Sequence, residues 1–201
     1  MIALLASLTA CGHPKSRDLA PTQGASVPSG PAPSGPATPP STPPSGPPSS
    51  AVVVEFTVDG AGPYQLGAML ADLQASPGLA DVTKGGQTCP NNTTAQGTGV
   101  WKDVHLSFHP DGTLYLAENR SPSIPTPSGA WLGTTLAQLK TIYAHVQSEV
   151  LTKGTAQAFL VTTISGGAIL FDLNAKGVVI SMATADADFL RTSYQGGTDF
   201  C

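Results

Sequence analysis

Leu66-Gly67-Ala68-Met69-Leu70-Ala71-Asp72-Leu73-Gln74 and Leu132-Gly133-Thr134-Thr135-Leu136-Ala137-Gln138-Leu139-Lys140 align without a gap. Each opens on Leu-Gly followed by small residues and runs into apolar residues at helical spacing. Leu66, Met69, Leu70 and Leu73 form one stripe; Leu132, Leu136, Leu139, Tyr143 and Val146 form the other. Thr135 and Gln138 have the spacing of a capping box, which the first copy lacks. Ser76-Pro77-Gly78 predicts an early end to the first helix, whereas the second is free to run to about His145 or Val146.

Outward from each helix the pattern changes to period two. His109-Pro110-Asp111-Gly112 and Asn174-Ala175-Lys176-Gly177 are Gly-ended turns, the first suited to a type I turn with a G1 bulge. A regular hairpin register sets Phe108 opposite Leu114 and Leu106 opposite Leu116, making one greasy face. Trp101, His105, Ser107, His109 and Tyr115 are then left on the other. In the second copy Phe159 to Ile164, Ala168 to Leu173 and Val178 to Ala183 read as three strands. Their apolar residues do not alternate, so these are expected to be central and covered on both faces. With Val52 to Val58 as an opening strand the order is β, α, β-hairpin, α, β-meander. The fold class is α+β: tandem helix plus antiparallel hairpin or meander repeats, about 60–120 and 126–184, with the helices packed on one antiparallel sheet.

The doubled helix start followed by antiparallel strands resembles the tandem-repeat architecture of the β-lactamase inhibitor protein (BLIP) family and its single-repeat relatives, the SmpA/OmlA (BamE-like) lipoproteins. The segment Thr126-Pro127-Ser128-Gly129-Ala130-Trp131-Leu132-Gly133 is also similar to a recurring stretch of uncharacterised exported actinobacterial proteins. The likeness covers roughly Gly60 to Ala183. It implies a BLIP-like fold in which a concave sheet face and its loops grip an enzyme; no individual inhibitory residue carries over.

The N-terminal part sets the location. An apolar run, Ile2 to Leu8, closes in Leu8-Thr9-Ala10-Cys11 and turns polar. It is too short for a membrane span and has the form of an export signal. Leu-Thr-Ala-Cys resembles the bacterial lipobox, which implies cleavage after residue 10 and a diacylated Cys11 as the mature N-terminus. The competing reading is a plain signal peptide with a coincidental cysteine. No Lys or Arg precedes the run, a departure that fits a chain given from an internal methionine. Residues 11–50 read as a disordered tether: no charge falls between Leu19 and Val54, and eleven prolines lie between Pro21 and Pro48. At about 3 Å per residue it spans on the order of 100 Å. A Pro-rich ligand for a recognition domain and a glycosylated stalk are other uses of the same composition.

Residues 51–201 are the size of one domain. The chain has 13 acidic against 9 basic residues, and the bases are scattered, which excludes a nucleic-acid surface. With Cys11 acylated, Cys89 and Cys201 remain and are expected to pair in an oxidising compartment. Such a bond is worth about 4 kcal/mol at most in the loop-entropy account.

Signs of catalysis are weak. There is no Gly-x-Ser-x-Gly and no Ser-x-x-Lys, and Ser165 in Ile164-Ser165-Gly166-Gly167 reads as a hairpin turn between strands. His105 and His109, with Asp103 and Asp111 nearby, sit about 13 Å apart if both lie on one strand, too far to share an ion. Asp186 and Asp188 read as a loop acid pair on the surface. No metal, cofactor or phosphate loop is expected. The candidate binding face is Trp101, His105, Ser107, His109 and Tyr115, bulky amphipathic side chains suited to protein or glycan contact. For Trp101 the alternative is satellite core beneath a loop. The expectation is a non-catalytic, lipid-anchored binding or scaffolding module outside the cytoplasmic membrane, with a protein or envelope-polymer partner. An inhibitor of an exported hydrolase such as a β-lactamase or protease is the alternative, and an envelope hydrolase with an unrecognised site is a third.

Overall fold

The computed structural model describes residues 54–86, 89–198 and 200. The expected signal, Cys11 and tether lie outside the described residues, as does Cys201. The body is α+β, and its elements run as two rounds of a helix followed by four strands. The first round is α1 (Leu70–Ala75), β4 (Ala80–Lys84), β5 (Thr93–Gln96), β6 (Val104–Phe108) and β7 (Leu114–Asn119). The second is α2 (Leu136–Ile142), β8 (Ser148–Lys153), β9 (Ala156–Thr162), β10 (Gly167–Leu173) and β11 (Val179–Asp186). All eight join one antiparallel sheet in the order β4-β5-β6-β7-β11-β10-β9-β8. The last strands of the two rounds meet at its centre, where Ala117, Glu118 and Asn119 pair with Thr184, Ala183 and Met182.

The two rounds repeat their backbone contacts position for position. Gly67 N donates to Leu114 O at 2.8 Å and Gly133 N to Val179 O at 2.9 Å. Leu70 N donates to Gly112 O and Leu136 N to Gly177 O, both at 2.8 Å. Isolated bridges join Met69 to Thr113 and Thr135 to Val178. The pattern requires glycine in the turn: Gly112 has φ 90° and Gly177 φ 69°, where a side chain is strained. The duplication read from the helix starts is therefore present in the hydrogen bonding as well as the sequence.

Several expectations are corrected. The helices begin at Leu70 and Leu136, after turns through Gly67 and Gly133. The second stops at Ile142, with Tyr143 as its C-cap, rather than continuing to Val146. The Tyr143 ring instead packs with Phe159 and Phe171, and its hydroxyl pairs with Thr126 Oγ1 at 3.0 Å. Of the expected opening strand, Val52 and Val53 lie outside the described residues; from Val54 on only Phe56–Thr57 (β1) is strand, and it forms a small separate sheet with Gly60–Ala61 (β2) and Tyr64–Gln65 (β3). Phe56, Ala61 and Tyr64 are fully buried there. Asp186 and Asp188 are not loop acids. Asp186 caps a third helix, α3 (Ala187–Gly196), accepting from Phe189 N at 3.0 Å, and Asp188 pairs with Arg191 in its first turn.

Two apolar layers result. One sheet face buries Val104, Leu106, Phe108, Leu114, Phe159 and Phe171 with Leu73 and Leu139 from the helices. The other buries Leu116, Leu151, Leu160, Leu170 and Ala183 under Leu190 of α3. β10, buried on both faces, accounts for the continuous apolar run of its sequence.

Candidate functional site

One cross-strand row crosses the sheet from β5 to β8 on the α3 side. It runs Gln96, His105, Glu118, Ala183, Leu170, Leu160 and Glu149, each the register partner of the next. From β11 to β9 the row is apolar, and α3 lies across that half, in contact with β8 through β11. From β5 to β7 it is polar. Alternation explains why: Val104, Leu106 and Phe108 turn into the helix-side core, which leaves His105 and Ser107 half-buried on the opposite face. Next to them on β5, Thr94 is exposed and Gln96 half-buried.

The expected binding residues divide. His105 and Ser107 share this face. Tyr115 joins them through a bulge: the register passes from Phe108↔Leu114 to Ser107↔Leu116, so Tyr115 is the extra residue. The bulge also corrects the expected pairing of Leu106, whose partner is Ala117, and turns Leu116 into the layer under α3. His109, in the turn after β6, stacks on Tyr115 with ring centroids 4.2 Å apart, and Phe189 meets Tyr115 edge-on at 5.5 Å. Trp101 does not belong to the face. A short 3-10 turn, Gly99–Trp101, folds it into the helix-side core at 5% exposure. A Cβ on Gly62 would come within 2.1 Å of its ring.

Sequence reasoning missed several polar side chains here, Glu118, Arg120, Asp172 and Tyr194 among them. Two open hollows share Glu118. One, of about 280 Å³, is lined by Asp81, Thr94, Gln96, His105 and Ser107; the other, of about 310 Å³, by Arg120, Asp172, Ser181, Tyr194 and Phe200. Arg120 holds Glu118 in a two-pronged pair at 2.9 and 3.1 Å. Burial pushes the Asp172 carboxyl above its usual range, with the Leu173 backbone amide opposing and Glu118 adding to the rise. Burial likewise raises the Tyr194 hydroxyl, reinforced by Asp172. That hydroxyl is buried with no hydrogen-bond partner among the described residues. Counting the bulge brings Glu118 opposite His105, so the strand pattern contained the signal for it; Tyr194 reaches the hollow only through the third helix.

Tyr115 also ties down the chain's end. Its hydroxyl accepts from Asn92 Nδ2 and donates to Phe200 O, each at 3.0 Å. Cys89 is engaged rather than free. Ser165 sits at the β9–β10 turn, where its hydroxyl pairs with Thr163 Oγ1. Among the described residues no group of three His, Cys, Asp or Glu is placed to hold a metal ion, and no helix is long and apolar enough to cross a membrane.

No family model and no curated protein matches the chain. Among solved structures it is similar to an extracellular protein containing a SCP domain from Bacillus anthracis str. Ames, at 9% identity and a TM-score of 0.42 over 63% of this chain and 46% of that one. The chain thus spans under half the length of that protein. It is also similar to the uncharacterized protein yfeY from Escherichia coli, at 13% identity and a TM-score of 0.43 over 66% of this chain and 99% of that one.

Proposed function

We propose that the chain is an exported, lipid-anchored and non-catalytic binding module. Its acylated Cys11 is held in the outer leaflet of the cytoplasmic membrane, and residues 11–50 serve as tether. The domain is BLIP-like, and its open half-face engages a protein of the envelope. The observation that carries this reading is the change of character along one sheet row. The apolar half is sealed by α3, while Gln96, His105 and Glu118 stay uncovered beside the aromatic cluster of His109 and Tyr115. A rigid sheet is a precise platform for such a patch, and an aromatic side chain such as Tyr115 is a usual anchor of recognition. The expected Cys89–Cys201 bond is supported by their neighbours: Asn92 and Phe200 meet at the Tyr115 hydroxyl.

Crosslinking on intact cells tests this. The wild-type chain is expected in the membrane fraction with a discrete captured protein, and the Cys11→Ser chain in the soluble fraction without it. A Cys11→Ser chain that stays membrane-bound contradicts the anchor. Capture unchanged in a His105→Ala/Glu118→Ala double variant contradicts the face.

A further inference from the structure

The internal duplication provides a control for a second surface, on the other copy. In the first copy the turn before the helix is closed by Ala68 N donating to Gln65 O at 3.1 Å; in the second, Thr134 N donates to Trp131 O, also at 3.1 Å. Trp131 therefore occupies the position of Gln65. The fold builds this turn without an indole, so packing of the turn does not account for the tryptophan. Its side chain is 53% exposed, unlike that of Trp101. Along the helix the same substitution of character recurs: Gln138 and Thr141 stand where the first copy has Asp72 and Ala75.

These residues line a groove of about 540 Å³ formed by Trp131, Thr134, Ala137, Gln138, Thr141 and Ile142, with Gly129 and Gly133 at its edge. A Cβ at either glycine would meet nothing within 4 Å, so the space beside the ring is open. No lining side chain carries a charge, and the first copy's acid at this position, Asp72, is replaced by an amide. The polar atoms keep capacity to spare. Gln138 uses its Oε1 in the helix cap, and its two Nε2 hydrogens have no partner among the described residues. Thr141 Oγ1 donates to Ala137 O and can still accept; Thr134 Oγ1 accepts from Trp131 N and can still donate.

We propose that this groove binds a neutral saccharide, one pyranose ring lying on the Trp131 indole with its hydroxyls meeting Gln138, Thr134 and Thr141. An uncharged ring with an apolar C–H face and a polar rim matches an aromatic platform flanked by amide and hydroxyl groups and free of charge. An anionic or cationic ligand finds no counter-charge here. The volume is that of a small-ligand site and admits more than one sugar ring. The site is separate from the sheet face of the proposed function and does not depend on it.

The test uses the full chain carrying Cys11→Ser, titrated with cellohexaose, maltohexaose, mannohexaose and chitohexaose while tryptophan emission is followed. Of the two tryptophans only Trp131 is exposed, so a ligand-induced shift reports on it. The expected result is a saturable blue shift with at least one oligosaccharide. Trp131→Gln, which installs the first copy's own residue, is expected to fold as the parent does and to weaken binding, read by calorimetry, about tenfold or more. The His105→Ala/Glu118→Ala chain is expected to bind the saccharide undiminished. No saturable change with any of the four, or equal binding by Trp131→Gln, overturns the proposal. So does emission that responds only to the protein captured through the sheet face, which assigns the groove to that protein instead.

Discussion

The two copies share a backbone and differ in how they are finished. The second has a capped helix, a sheet face sealed by α3 and an exposed indole. The first has a helix with no side-chain cap, because Met69 at the cap position accepts nothing from the helix amides, and a sheet face left open. The shared parts are those that close the turn and bury the helix stripe; the unshared parts lie on surfaces. This contrast separates what the fold needs from what is available for recognition, without recourse to relatives.

The strongest way to break the equivalence is through the paired core leucines. Leu73 and Leu139 occupy the same position and are 5% and 0% exposed. Leu73→Ala and Leu139→Ala are each expected to cost about 2 to 5 kcal/mol in urea unfolding, the second at least as much as the first. If one copy tolerates the change at no cost, the halves do not carry equal shares of the core. Next in size are the turn glycines. Gly112→Ala and Gly177→Ala place a Cβ at positive φ and are each expected to cost about 1 to 2 kcal/mol by the same measurement. The caps come third: Thr135→Ala is expected to cost about 1 kcal/mol, and Met69→Thr, which supplies the missing cap, to recover up to about that much. A Met69→Thr chain with a lowered midpoint would mean that the Met69 side chain contributes more by packing than a cap supplies.

The smallest effect is a pH dependence at the hollow lined by Glu118 of the first copy and Asp172 of the second. Asp172 is harder to ionise folded than unfolded, so the folded state binds more protons just above the ordinary carboxylate value of 3.8, and stability falls as pH rises through the raised folded value. Asp172→Asn is therefore expected to raise the melting temperature slightly at neutral pH, with the gain vanishing below about pH 4. A gain of equal size at both pH values would place its origin elsewhere.

What the sequence disclosed follows the same division. The helix starts, the capping box of Thr135 and Gln138 and both Gly-ended turns are legible because short-range chemistry fixes them. The edge strands β4 and β8 are mostly exposed and carry no apolar alternation, so no periodicity marks them. The bulge at Tyr115 is a one-residue slip that a regular hairpin register cannot reveal, and it displaced Leu116 and concealed Glu118. For Trp101 the alternative of core beneath a loop holds over the binding face, and what decides it, a single 3-10 turn, leaves no periodic signal. α3 has its own signal, Asp186 as cap, Leu190 and Tyr194 at helical spacing and Gly197 as the left-handed cap, which the acid pair Asp186 and Asp188 taken alone does not convey.

The central claim is that the uncovered polar half of the sheet is the recognition face. Its most direct test places a photoreactive residue at position 107, at the centre of that half, and at position 164, on the fully exposed β9–β10 turn, in otherwise wild-type chains on intact cells. The account predicts one discrete crosslinked protein from position 107 and none from 164. Equal capture at both positions, or capture from 164 alone, would contradict it.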